Sequence, residues 1–187
     1  MLREYVIARD PVYAQNLFGL GSSYFVAGRL DEAVASFRTL ATLSPGLPWV
    51  QHLIGQVLLH KGEPEAALAA MQQESHEDRK LAGLAVAYHA LGQVAESDAA
   101  LADLIDKYEQ ERALMIAIVF AFRSEADRAF EWLDKAVEHN DLGLPWIAVE
   151  KEAANIHDDP RWLPFLESIG KSPEQLAAIE FEVALPQ

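Results

Sequence analysis

The chain has 187 residues, of which 51% are hydrophobic and 24% charged, enough apolar content for a buried core under an ordinary soluble surface. Its 29 acidic and 15 basic residues leave a formal charge of −14, so nucleic acid and anionic membrane surfaces are repelled and neither is an expected partner. There is no cysteine, which excludes disulfide staples and thiolate metal sites.

Residues 1–10 mix acidic and apolar side chains and lack the long apolar core of a secretory signal, so a cytoplasmic setting is expected. Pro11 falls where Pro45 falls in the next unit, and residues 1–13 therefore read as the second half of an earlier helix pair. A helix is predicted over 12–27, stopped by Gly28, which supplies the positive φ that a helix end often requires. Asp31 and Glu32 open a second helix carrying Ala33, Phe37 and Leu40 on one face, with Pro45 beyond its end. The next pair repeats this with Gly62 as the stop and Pro64 in the first turn, where its missing N–H costs nothing. A shorter third pair has Gly92 at the same place. In the fourth, Ser124 replaces glycine and makes a capping-box pattern with Asp127, so a start signal is expected where the others stop. The apolar run 113–122 ends at Arg123, well short of the ~20 residues that span a bilayer, and reads as a buried helix.

Residues 144–187 read as a capping segment. Asp158, Asp159 and Pro160 signal a helix start, and Trp162, Leu163, Phe165, Leu166 and Ile169 form an apolar cluster. Pro164 is expected to interrupt a helix begun at Pro160, giving a turn and then a helix over 163–168. Gly170 stops it, and Ser172, Pro173, Glu174 and Gln175 open another.

Over 14–143 one signature recurs: Gly21, Tyr24, Gly28, Ala33, Phe37; Gly55, Leu58, Gly62, Ala67, Met71; Ala85, Tyr88, Gly92, Ser97, Leu101; Ala117, Phe120, Ser124, Ala129, Leu133. The small residues Gly21, Ala33, Gly55, Ala67, Ala117 and Ala129 belong where helices cross too closely for a larger side chain. Tyr24, Leu58, Tyr88 and Phe120 are expected to fill the space between. The unit resembles the tetratricopeptide repeat. That resemblance implies an all-α fold, an α-solenoid in which antiparallel helix pairs form a right-handed superhelix: four pairs over 14–143 closed by a helical cap. Glu74 departs from the pattern, standing where the second helix of a pair usually has a small residue.

Chemistry is sparsely signalled. His52 and His60 lie two helical turns apart, too far for one ion without further ligands, and no His-Glu-x-x-His occurs. His157 with Asp158 and Asp159 comes nearest to a loose cation site, but Asp159 is better read as the cap before Pro160. No phosphate-binding glycine loop and no Gly-x-Ser-x-Gly elbow is present. No catalytic residue, cofactor or metal is expected. Asp31, Glu32, Glu63, Glu65, Glu96, Glu125 and Asp127 stand at the starts of second helices, where they complement the helix dipole.

The resemblance also implies a concave face lined by the first helix of each pair. Carried over residue by residue, it is expected to hold Phe18, Ser22, Phe25, Trp49, His52, Gln56, Arg79 and His89, with Gln15, Val26, Leu59, His60, Ala82 and Val86 beside them. In the fourth pair the matching residues are Glu111, Leu114, Ile118 and Phe122. Phe18, Gly19 and Ser22 stand where chaperone-binding members place the Lys and Asn that clamp a terminal carboxylate. The function implied is a non-enzymatic scaffold for a protein or peptide segment, or alternatively a regulatory or oligomerisation region of a larger signalling protein or transcription regulator. Asp159-Pro160-Arg161 before an apolar helix is similar to the C-termini of bacterial signalling proteins that carry such repeats. The alternative to an open groove is that its apolar residues are covered by the C-terminal segment or by a second copy of the chain, a homo-oligomer.

Overall fold

The structure, a computed structural model, describes residues 14–179. The expected half repeat over 1–13 and the last eight residues of the capping segment lie outside them. Among the described residues every regular element is helical, and the chain divides into two compact units, Met1–Lys107 and Tyr108–Gln187.

The first unit is built from α1 (Ala14–Val26), α2 (Leu30–Leu43), α3 (Val50–His60), α4 (Pro64–Gln72), α5 (Glu77–Ala90) and α6 (Val94–Tyr108). They form three pairs joined by one turn used three times. Gly28, Gly62 and Gly92 take φ of 74°, 74° and 72°, and the next amide reaches back five residues: Arg29 to Tyr24, Glu63 to Leu58 and Gln93 to Tyr88, at 2.9–3.0 Å. This closes the last carbonyls of the first helix and reverses the chain within three residues. A Cβ at these glycines would touch nothing, so backbone conformation alone selects glycine here.

Each pair is locked at a small residue. A Cβ on Gly21 would sit 2.6 Å from the Phe37 ring, and one on Gly55 would sit 2.7 Å from Met71 Cγ. In the third pair the Ser97 hydroxyl, fully buried, donates to the Ala85 carbonyl at 2.7 Å. Ala33 and Ala67 are wholly buried, as are Phe37, Leu40, Leu58 and Met71 at 2% exposure or less. Successive turns are tied by Lys61, whose ammonium lies 2.8 Å from Asp31 and 2.9 Å from Glu63.

Tyr24 and Tyr88 do not fill the interior as expected. Both are half-buried, and the Tyr24 ring carries the Arg29 guanidinium 4.3 Å from its centroid. An amphipathic ring at a helix end keeps its hydroxyl in reach of water.

The second unit holds α7 (Ala113–Phe122), α8 (Ala126–Glu138), two 3₁₀ helices (Leu144–Val149 and Lys151–Ile156), α9 (Trp162–Ser168) and α10 (Pro173–Ala177). Ile116, Ala117, Val119, Phe120 and Ala121 are almost wholly buried, as are Ala129, Leu133 and Ala136 on α8. The second 3₁₀ helix packs on α7 with Ala153 and Ile156 inside, and Asn155 donates to the Phe122 carbonyl at 2.7 Å. No helix in the described residues is long and apolar enough to cross a membrane.

One expectation for this unit is corrected. Ser124 is a stop, not a start: its φ is 61°, Glu125 N–H returns to Phe120 O at 2.9 Å, and α8 begins after Glu125 with no side-chain cap. A cap residue needs extended backbone, which a residue closing the left-handed turn cannot adopt, and Asp127 is engaged instead by Arg161 at 2.9 Å. The helix expected over 163–168 after a turn is present as α9, which follows the turn at Pro160 and Arg161. With α9 starting at Trp162, the proline falls in the first turn, where its missing N–H is not needed. Gly170, at φ 71°, ends α9, and Ser172 with Gln175 makes the capping box that opens α10.

Candidate functional site

On α1, Phe18, Ser22 and Phe25 follow each other at four and three residues, one helical face. Phe18 meets Trp49 edge to face, with centroids 5.2 Å apart at 72°, and touches the Phe37 ring at 6.4 Å. Phe25 meets His60 at 5.1 Å. The two aromatic pairs are separated along α1 by seven residues, about 10 Å of helix rise. Arg79 on α5 places its guanidinium 6.0 Å from the Trp49 centroid, at the outer range of a cation–π contact. Phe18, Phe25, Trp49 and Arg79 are all half-buried, so each is held by packing while part of it faces solvent.

Trp49 was expected on a helix and instead precedes one. It is the residue before α3, with φ 68°, a left-handed conformation rare for any residue bearing a Cβ. What holds it there is Glu74, only 4% exposed. One carboxylate oxygen accepts from Trp49 N–H at 3.0 Å and His76 N–H at 2.9 Å, and the other accepts from His52 N–H at 3.1 Å. These amides lie at the first turn of α3 and immediately before α5, among the donors a helix start leaves unsatisfied. Burial pushes the Glu74 carboxyl up, but the backbone donors of His76, Trp49, His52 and Ser75 outweigh it and hold it below its ordinary value. The His52 ring is committed as well. Its Nδ1 lies 3.0 Å from the Arg79 carbonyl, an oxygen that only accepts, so Nδ1 carries the proton.

The remaining candidates are less concentrated. Ser22 donates its hydroxyl to Phe18 O at 2.9 Å within α1. Gln56, Leu59 and His89 are half-buried, Gln15 and His60 exposed, and Val26 is 70% exposed. Ala82 and Val86, expected on the concave face, are buried, because the face of α5 that carries them is turned into the helix packing, where Gly83 approaches Met71. Leu114 is buried too, while Ile118 and Phe122 are half-buried and Glu111 exposed.

The sequence had no motif for Glu74; its one signal was an acid where a small residue usually stands. Asp141 repeats the device in the second unit, accepting from Leu114 N–H at 3.1 Å and from Gly143 N–H at 2.8 Å. His157 stacks on Trp162 with centroids 4.4 Å apart, and burial lowers its pKa against the opposing pull of Asp158. The side chain and amide of Arg161 hold the Asp159 carboxyl down to about 2. No group of three His, Asp or Glu among the described residues is arranged to hold a metal ion.

Residues 2–48 match a family model described as tetratricopeptide repeat, and residues 83–110 match another of the same description. No curated protein matches the chain. Solved structures share its fold, among them the following three. MamA is 19% identical, with a TM-score of 0.53 over 74% of this chain and 84% of that one. A chain of the APC/C Cut9–Hcn1 hetero-tetramer is 14% identical, with a TM-score of 0.58 over 89% of this chain but 34% of that one. YrrB, described as a TPR protein with an unusual peptide-binding site, is 15% identical, with a TM-score of 0.50 over 95% and 97%. With the turn and crossing geometry of its helix pairs, these matches show a tetratricopeptide-like all-α repeat fold, and residues 2–48 and 83–110 are similar to the tetratricopeptide repeat itself.

Proposed function

We propose that the chain is a non-enzymatic protein-interaction scaffold that holds a protein segment against α1, α3 and the start of α5. The observation that carries this reading is the half-buried Phe18–Trp49 pair beside Arg79. Aromatic and arginine side chains supply most of the energy in protein interfaces, and these are fixed by packing before any partner arrives. Phe25 with His60 offers a second anchor on the same helix. The peptide-binding site described for YrrB supports the reading from a protein of the same fold. A cytoplasmic setting belongs to it.

Random octapeptides displayed on phage and selected against the chain test this. An enriched peptide is expected to bind about tenfold or more weakly to Trp49→Ala and Phe18→Ala, as for truncated interface anchors, with the helical circular dichroism retained. Failure to enrich any peptide, or equal binding to both variants, would overturn the proposal.

A further inference from the structure

We infer that Glu74 is the positioning residue of the Trp49 cluster: its ionised carboxylate, bonded to the amides of Trp49, His52 and His76, sets the indole and Arg79 in the arrangement that a bound segment meets. The inference rests on the reading above and extends it to a residue that points away from solvent.

Glu74 gains nothing from its own helix. It lies just past the C-terminal end of α4, the negative end of that helix's dipole, where an acidic side chain is disfavoured. It is also buried, which opposes ionisation. The N-terminal ends of α3 and α5 offset both costs, since each offers amides without a partner inside its helix. Glu74 therefore joins three helices of two successive pairs.

The joint is built around the aromatic site. The Trp49 amide is donated to Glu74 while its backbone holds φ 68°, a conformation that the tryptophan itself resists. The His52 amide takes the second oxygen, and the His52 ring then reaches the carbonyl of Arg79. Glu74 thus fixes the Trp49 backbone directly and the Arg79 backbone through the His52 ring. Glutamine cannot replace it. One orientation of the amide turns its NH₂ toward the Trp49 and His76 donors, and the other turns it toward His52, so at least one donor faces another donor.

Glu74→Gln tests this against Leu104→Ala, a core truncation in α6 with no part in the cluster. In the wild type the amides of Trp49, His52 and His76 should be protected from hydrogen exchange, although helix starts ordinarily exchange fast. In Glu74→Gln they should exchange about tenfold or more faster relative to other amides of the first unit, the loss expected for hydrogen bonds to an ionised group. Leu104→Ala should leave that ratio unchanged. The enriched octapeptide should bind Glu74→Gln about tenfold more weakly, and Leu104→Ala as tightly as wild type when both are folded. Unchanged exchange at the three amides overturns the inference, as does unchanged peptide affinity. If no peptide is enriched, the scaffold reading fails and the exchange ratio still decides the role of Glu74. Should Glu74→Gln not fold, the wild-type chain is titrated from about pH 5 to about pH 3, below the ordinary histidine range and through that of a lowered carboxyl, while circular dichroism reports it folded. Of its four tryptophan indole resonances, that of Trp49 should move, and a flat Trp49 resonance overturns the inference.

Discussion

Met71 offers a quantitative test of how the pairs lock together. Its side chain is 1% exposed and lies between two glycines on different helices. A Cβ on Gly55 would come 2.7 Å from Met71 Cγ, and one on Gly83 would come 2.8 Å from Cγ and Sδ. Carbon atoms pack at about 3.5 Å or more, so Gly55→Ala must displace the methionine by roughly 0.8 Å, and Gly83 bounds its other side. The atom displaced is near the root of the side chain, and rotation of the terminal methyl does not relieve it. Overpacking of this kind costs about 1–3 kcal/mol, against about 1 kcal/mol gained when alanine replaces glycine inside a helix. The net expectation is destabilisation by about 1 kcal/mol. Met71→Ala alone should cost about 2–5 kcal/mol. In the double variant the clash is gone and only the helix-propensity gain remains, so the two changes should couple favourably by about 1–3 kcal/mol. Urea unfolding of the four proteins, with unchanged m-values, measures the cycle. Additivity within about 0.5 kcal/mol would mean that Met71 is not confined by Gly55 and that the assigned crossing is wrong.

Ser124→Gly should raise stability by about 0.5–1 kcal/mol, since the left-handed conformation that serine resists is free for glycine, and Gly62→Ala should lower it by a similar amount. Melting temperatures moving the other way would refute the shared turn. The Glu74 carboxyl is held below its ordinary value of 4.5, so its contribution is complete above about pH 5 and disappears as pH falls through the folded-state value. The gap in unfolding free energy between wild type and Glu74→Gln should therefore narrow from about pH 6 to about pH 3, and a gap constant over that range would show that the ionised form carries no stabilisation.

The fold was legible because its determinants are local or periodic. Gly28, Gly62 and Gly92 punctuate the pairs with the one residue that the turn geometry favours, and Gly21 and Gly55 mark crossings by the absence of a side chain. Ser124 was misread because the same serine and acid pattern serves both a cap and a polar turn. Only the φ of 61° separates them. The 3₁₀ helices over 144–156 were missed because their short, tight turns carry no 3.6-residue apolar stripe. At the candidate site, Phe18, Phe25 and Arg79 were named only through the groove positions that the resemblance to the tetratricopeptide repeat implies. Ala82 and Val86 were misplaced because an apolar side chain on the inner face of a helix looks the same in sequence whether solvent or another helix lies opposite.

Glu63 and Glu74 show why the polar half of the site was harder to read. Both follow a helix and precede another, but only Glu63 stands among the acids read as complementing a helix start. Glu63 is 46% exposed and shares Lys61 with Asp31, an arrangement in water worth well under about 1 kcal/mol. Among the described residues Glu74 makes no hydrogen bond to a cationic side chain and is 4% exposed, yet it gathers amides 25, 22 and 2 residues away. Those donors converge only because α3, α4 and α5 pack with their ends together, and that convergence is a property of the fold that no local spacing encodes. The acid that is exposed and paired can be exchanged at little cost, whereas the acid that has lost both water and counterion cannot, because its charge is neutralised by backbone that remains when the side chain is changed.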